Sequence, residues 1–363
     1  MTELRVIDAD THVDESEATW EYIDSVAIKH APINVTRNTD ASTNAGPDGT
    51  RWWLVGTRAQ PRVVRDDAHY PSRGRRELDD IPGRLADMDR MGVDVQVIFP
   101  TFFIRYGTNN PVAEQALTRA YNRWIAARCA ESNGRLRWAA VLPLLDPDMA
   151  VEELRWAKLN GAAAVFKRGF DLEKSSSDPH FFPVYQEAND LDIPICIHTG
   201  HPLPGREWDR SFPVIAAFNS IVMDGLPDKF PKLRFGFVEA GAAWIPYSLT
   251  QMSTHIRAKT LHERTQTFEL TKDLLRENRL FITVDPLDDI EYLLKFGAEN
   301  NLMVGTDYTH GDPSANLAAL DEVRAWVGDG KVSEDVARKV LGTNARSFYG
   351  LETNGSQNIH PTS

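Results

Sequence analysis

The chain is expected to fold as an α/β protein: a single closed (β/α)8 barrel of the TIM type with a long insertion after its first strand. Three observations lead there. Eight short, apolar, β-favouring runs recur along the sequence; helix-patterned segments separate them; and three of the runs end in side chains that can ligate a metal. The barrel is expected over residues 1–350, with the insertion at 14–80 and a polar, disordered tail at 353–363.

The expected strands are Arg5–Asp10, Val93–Phe99, Leu136–Leu142, Ala162–Phe166, Ile193–His198, Leu233–Glu239, Leu280–Asp285 and Leu302–Asp307. Short apolar strands alternating with helices signal a parallel sheet buried on both faces, and eight such units in a row favour closure over an open sheet. Asn110-Pro111 starts one helix with a cap residue followed by proline at the first helical position. Its apolar stripe runs through Ala116, Leu117, Ala120, Tyr121, Trp124 and Ile125. Met149–Leu159 is another, entered from Asp146-Pro147 and stopped by Asn160-Gly161. Pro183–Asn189, Phe212–Leu226, Ile245–His255, Ile290–Ala298, Asn316–Trp326 and Glu334–Phe348 fill the later positions.

The insertion breaks this regularity. About eighty residues separate the first two strands, far more than a βα unit needs. It holds Pro32, Pro47, Pro61 and Pro71, and the aromatic patch Arg51-Trp52-Trp53-Leu54-Val55-Gly56 can form a small hairpin. Following the first strand directly, it emerges on the catalytic face. It is either a lid that excludes water, a packing flap or a dimer surface.

Composition narrows the function classes. Of 363 residues, 42% are hydrophobic and 25% charged, ordinary for a globular protein. A net charge of −12 argues against a nucleic-acid partner. No apolar run approaches the roughly 20 residues that span a bilayer. With only Cys129 and Cys196 there is no disulfide scaffold, so a cytoplasmic protein is expected. The expected partners are a small-molecule substrate and a second copy of the chain. There is no Gly-x-Ser-x-Gly elbow, Walker loop, His-Glu-x-x-His or dinucleotide fingerprint.

The strand ends carry the chemistry. Alternate residues of a strand share a face, so Asp10 and His12 in Val6-Ile7-Asp8-Ala9-Asp10-Thr11-His12 point the same way and can grip one ion. His198 closes Ile195-Cys196-Ile197-His198-Thr199-Gly200, and Asp307 closes Leu302-Met303-Val304-Gly305-Thr306-Asp307. Ligands delivered from several strand ends suggest a metal site at the barrel mouth.

Asp10-x-His12, the His198 strand, Phe237-Val238-Glu239-Ala240-Gly241-Ala242-Ala243-Trp244-Ile245-Pro246 and Gly305-Thr306-Asp307-Tyr308-Thr309-His310 together resemble the amidohydrolase-related family. Leu341-Gly342-Thr343-Asn344-Ala345-Arg346 resembles its closing helix. This branch includes aminocarboxymuconate-semialdehyde and resorcylate-type decarboxylases, and the resemblance covers about residues 4 to 350. It implies one divalent metal per chain, zinc foremost and manganese or magnesium as alternatives, held by Asp10, His12, His198 and Asp307. Imidazole and carboxylate donors on a four-ligand platform with an open position agree with that.

Two features depart from the family. A carboxylate, Asp10, fills the first ligand slot, and Glu239 stands where the decarboxylases carry a histidine. Glu239 is expected either to act as general base, to hold a histidine, or to fix mouth loops by accepting backbone N–H bonds. Asp8 shares the face of Asp10 one step deeper and is expected to be structural. Lys167 is expected to point at a substrate carboxylate or pair with Glu239, with carbamylation as in binuclear relatives the lesser alternative. His201, His310 and Arg206 are candidate substrate contacts.

The expected function is non-oxidative decarboxylation of a small carboxylated cyclic or aromatic molecule, with Asp307 or a partner protonating the ring carbon. Metal-dependent hydrolysis of an amide, lactone or ester is the alternative, and a non-catalytic metal-binding scaffold the second.

Overall fold

A computed structural model describes residues 5–37, 50–62, 71–200, 211–262, 273–311 and 315–351. In chain order the strands are β1 (Ile7–Val13), β2 (Ile33–Arg37), β3 (Thr50–Val55), β4 (Arg58–Arg62), β5 (Val95–Pro100), β6 (Leu136–Val141), β7 (Ala162–Arg168), β8 (Ile195–His198), β9 (Phe235–Val238), β10 (Leu280–Val284) and β11 (Leu302–Val304). The parallel sheet runs β1-β5-β6-β7-β8-β9-β10-β11, so all eight expected barrel strands are present. Helices lie between them, as a parallel sheet covered on its outer face requires.

The seam between the first and last strands closes the barrel. Thr11 bridges Tyr308 in parallel. The Asp307 N–H donates to the Asp10 carbonyl at 2.9 Å, and the His12 N–H donates to the Tyr308 carbonyl. Beneath this, the buried Asp8 carboxylate accepts the Thr306 N–H at 2.9 Å and its hydroxyl at 2.6 Å. The structural role expected of Asp8 is therefore a specific one: it staples β11 to β1. Gly305 permits the approach, because a Cβ there would come within 2.4 Å of the Asp10 Cβ.

Two boundaries differ from expectation in ways that matter. β1 continues to Val13, because His12 and Val13 still pair with Phe99 and Pro100 of β5. Asp10 and His12 therefore sit within a paired strand. β7 likewise continues to Arg168, which pairs with His198. The expected helix starts are met: the Asn110 side chain caps Pro111–Ala130, and Asp146 caps Pro147–Leu159. One barrel helix, Ile81–Met91, went unanticipated although its signals are plain. Asp80 accepts the Gly83 N–H at 2.8 Å, Pro82 opens the first turn, and Gly92 ends it at φ +65°.

The described part of the insertion contains a three-stranded antiparallel sheet, β2-β3-β4. Trp53 anchors it, buried edge-on against Trp20 at 6.0 Å with the Arg62 guanidinium 4.6 Å over its ring. Gln60 donates to the Phe102 carbonyl at 2.8 Å, tying the sheet to the segment that follows β5. Residues 38–49 and 63–70 of the insertion, and the tail at 353–363, lie outside the described residues. Among the described residues no helix is long and apolar enough to cross a membrane.

Replacing Asp8 by Ala is expected to destabilise the protein by about 2–5 kcal/mol, because both Thr306 donors would lose their acceptor in a dry seam. Thr306→Val, which removes only the hydroxyl, is expected to cost less. Urea unfolding of the two variants checks this, and a loss below about 1 kcal/mol for Asp8→Ala would show that closure does not depend on the staple.

Candidate metal centre

β1 and β8 bring two imidazoles together. His12 and His198 are fully buried, and their Nε2 atoms stand 3.1 Å apart. The Nδ1 of His12 lies 3.2 Å from the Pro100 carbonyl, and that of His198 lies 2.7 Å from the Thr199 carbonyl. A carbonyl only accepts, so each Nδ1 carries a hydrogen and each ring turns its Nε2 to the centre. Phe99 packs 5.3 Å and Phe166 5.7 Å from the His198 ring, making an apolar floor.

Carboxylates surround these nitrogens. Asp10 Oδ1 is 3.5 Å from both Nε2 atoms and, although buried, makes no hydrogen bond. Asp307 Oδ1 is 3.3 Å from His12 Nε2. Glu239 Oε2 is 3.3 Å from His198 Nε2 and accepts the Thr199 hydroxyl at 2.6 Å. Glu239 and Asp307 both adopt left-handed backbone, at φ +57° and +55°, which costs a non-glycine residue about 1–2 kcal/mol. The Glu239 N–H held by the Thr283 hydroxyl at 3.0 Å and the Asp307 N–H held by Asp10 offset that cost. Strain maintained in this way is common where a side chain must be aimed.

The electrostatics follow from burial and these neighbours. Burial, with His310 adding, pushes the His12 imidazole down to about 3, so its ring is neutral. Burial opposes charge on His198 too, but the Glu239 and Asp10 carboxylates outweigh it and raise the ring to about 9. Asp10, despite burial, is held well below the ordinary carboxylate range by the two rings facing it. Burial raises Asp307 to about 7, against the pull of His310. A proton on His198 thus stands among donors that would otherwise face a cation. Buried carboxylate oxygens of Asp10 and Asp307 and two inward-turned Nε2 atoms fit a divalent ion, which would take the place of the His198 proton.

Several other expected residues can now be placed. His310 stacks on His12 with centroids 3.8 Å apart; its Nδ1 is 2.8 Å from Asp307 Oδ1 and its Nε2 2.9 Å from the Thr101 hydroxyl. It belongs to the centre. Lys167 does not. Phe166 faces His198, so the next residue along β7 faces outward, and the Lys167 ammonium meets Asp171 at 3.4 Å, the Ser176 hydroxyl at 3.3 Å and the Phe181 ring at 4.3 Å. This corrects the expectation that Lys167 meets Glu239 or a substrate carboxylate. His201 and Arg206 lie outside the described residues.

Sequence reasoning missed the support behind β1. The fully buried Arg84 donates to the His12 carbonyl at 2.9 Å, the Thr11 hydroxyl at 3.3 Å and Gln96 Oε1 at 3.0 Å, with its guanidinium 4.9 Å over the Tyr308 ring. The Tyr308 hydroxyl in turn donates to Asp87 at 2.6 Å. Arg84 and Asp87 both ride on the unanticipated helix, and recognising its caps would have exposed them.

The amidohydrolase family profile matches residues 7–351. The chain belongs to that family. It is 24% identical over 310 residues to a gamma-resorcylate decarboxylase of Polaromonas, covering 78% of this chain and 92% of that protein. An amidohydrolase of Mycobacterium avium superposes with a TM-score of 0.77 over 97% of this chain and all 100% of its own, at 18% identity. The 5-carboxyvanillate decarboxylase of Novosphingobium aromaticivorans, solved with manganese and 4-hydroxy-3-methoxy-5-nitrobenzoic acid, superposes at 0.60 with 20% identity, covering 74% of this chain and 79% of that one. Family membership makes this protein an enzyme, and its described residues include the metal-capable set Asp10, His12, His198 and Glu239.

Elemental analysis of the purified protein is expected to find about one divalent ion per chain. His198→Ala removes a ring whose lone pair points at the centre and is expected to lose most of that ion. Full occupancy in the variant would refute the metal centre.

Proposed function

We propose that this protein is a metal-dependent, non-oxidative decarboxylase of a small aromatic or cyclic carboxylate. The observation that carries the reading is the placement of a buried carboxyl, Asp307, at a metal-capable cluster: its Oδ1 lies 3.3 Å from His12 Nε2 and 2.8 Å from His310 Nδ1, beside Asp10 and His198. The decarboxylases among its relatives, acting on aromatic carboxylates by their names, support it.

Asp10, His12 and His198 would hold the cation. When bound, it supplies positive charge that fixes the substrate carboxylate and an adjacent oxygen. Phe99 and Phe166 exclude water from the floor. Asp307 then gives its proton to the ring carbon that bears the carboxylate. The carbon–carbon bond breaks, its electron pair restores the ring, and CO2 leaves. Solvent returns the proton to Asp307, whose Oδ1 stays oriented by His310, itself set by the Thr101 hydroxyl. Zinc and manganese both suit two imidazoles among carboxylates, and the manganese-bound relative favours manganese.

Asp307→Asn is nearly isosteric but its amide cannot deliver a proton at neutral pH. It is expected to stay folded, retain metal and lose turnover by about 10²–10⁴-fold. Assayed on a panel of hydroxybenzoates, the wild-type protein is expected to release CO2 without consuming water. Substrate-equivalent uptake of water with no CO2 would identify a hydrolase, and wild-type rates in Asp307→Asn at equal metal occupancy would assign the proton to another group.

A further inference from the structure

A second cluster of charge lies at the end of β7, outside the metal centre, and Arg168 is the member that turns toward the mouth. We infer that the Arg168 guanidinium determines specificity: it takes a second carboxylate on the substrate, remote from the carboxylate that faces the ion. This rests on the decarboxylase reading above and deepens it.

Strand alternation and register place it. Phe166 turns into the barrel against the His198 ring at 5.7 Å, so Arg168, two residues on, leaves β7 on the same face. Its partner in the parallel ladder is His198 itself, on a strand about 4.8 Å away. Arg168 thus rises from the mouth beside a residue of the centre, while Lys167 faces the other way. Its stem lies against the chain that leaves β8: a Cβ on Gly200 would come within 3.2 Å of Arg168 Cγ and 2.9 Å of the Ile104 carbonyl oxygen. The guanidinium ends at the Tyr106 carbonyl, which accepts from Nη1 at 2.6 Å. Segments following β5, β7 and β8 therefore converge on one arginine.

The head group is held but not used up. Nε donates to Asp171 at 2.7 Å and Nη1 to Tyr106, two of the five N–H donors, and among the described residues no group accepts from Nη2. A guanidinium fixed at two corners keeps its free edge in one orientation, which suits bidentate binding of a carboxylate. Charge leaves room for that anion. Lys167 and Arg168 are two cations sharing one carboxylate, Asp171. The other acid nearby, Glu114, accepts the Leu145 N–H at 2.8 Å and is pushed up to about 7 by burial, so it offsets only part of the excess. The Arg168 side chain is 14% exposed, enough for a ligand to reach it with little water competing.

Calorimetry of the Mn2+-loaded protein with unhydroxylated probes tests this: benzoate, with one carboxylate, against isophthalate and terephthalate, which carry a second one meta or para. Wild type is expected to bind the better dicarboxylate at least about 10-fold more tightly than benzoate. Arg168→Gln is expected to lose about 10–100-fold in dicarboxylate affinity, the range for a hydrogen-bonded charge, with benzoate within about threefold of wild type. Arg168→Lys is expected to recover part of the preference, because it keeps the charge and loses the fork. No preference in wild type, no binding of any probe, or equal losses of both classes in Arg168→Gln overturns the inference; the last would make Arg168 only a tie between loops. Should the variants not fold, crystals of Mn2+-loaded wild type with the dicarboxylates decide. A carboxylate oxygen about 2.7–3.2 Å from Nη2 supports the inference, and a guanidinium with no ligand oxygen in reach refutes it. Absence of CO2 release from every hydroxybenzoate would sink the decarboxylase reading itself, whereas CO2 release with no preference for a second carboxylate sinks only this assignment.

Discussion

The seam between the first and last strands is the contact on which the centre depends. Asp10 and Asp307 lie almost three hundred residues apart, and only the backbone hydrogen bond from one to the other, with the paired bridge at Thr11 and Tyr308, sets them side by side. Asp8 reinforces this from below by taking both donors of Thr306. Gly305 is what lets β11 come close enough, since any side chain there would collide with Asp10. A barrel can close in many registers; this one has its register fixed where the chemistry sits.

Around that seam the protein assembles charges that burial alone would disfavour. An isolated buried carboxylate gives up its charge unless something compensates. Here the compensation differs between neighbours. Asp10 is held ionised by the His12 and His198 rings despite its burial, while burial, with Glu239 and Asp10 adding, raises Asp307 against the pull of His310. Two carboxyl groups in one buried cluster are thereby shifted in opposite directions. His12 and His198 divide likewise, although both present Nε2 inward, because Glu239 lies beside only one of them.

The support for this arrangement comes from outside the barrel proper. Arg84 reaches from the first barrel helix to the His12 carbonyl, and its guanidinium lies over Tyr308, whose hydroxyl is anchored on Asp87 of the same helix. A single helix therefore steadies both strands of the seam. The insertion is tied down nearby, with Gln60 on the Phe102 carbonyl and Trp53 wedged against Trp20. The outer face of its sheet leaves Ile33 and Val35 exposed.

The sequence by itself determined the barrel, because strand and helix periodicities are local and repeat eight times with caps that can be recognised residue by residue. It also placed Asp10, His12, His198 and Asp307 near one another, since strand ends of a parallel barrel share one face. What it could not decide was direction. Whether Lys167 points in or out depends on the neighbouring Phe166 filling the interior, and that was settled by packing. The aim of Glu239 depends on a left-handed backbone held by Thr283 on β10, and the stacking of His310 on His12 depends on Thr101 at the end of β5. Those partners are distant in sequence and carry no periodic signal. Ligand types are written in the chain, but which oxygen faces which nitrogen is a property of the closed barrel, where long-range contacts set each side chain's orientation.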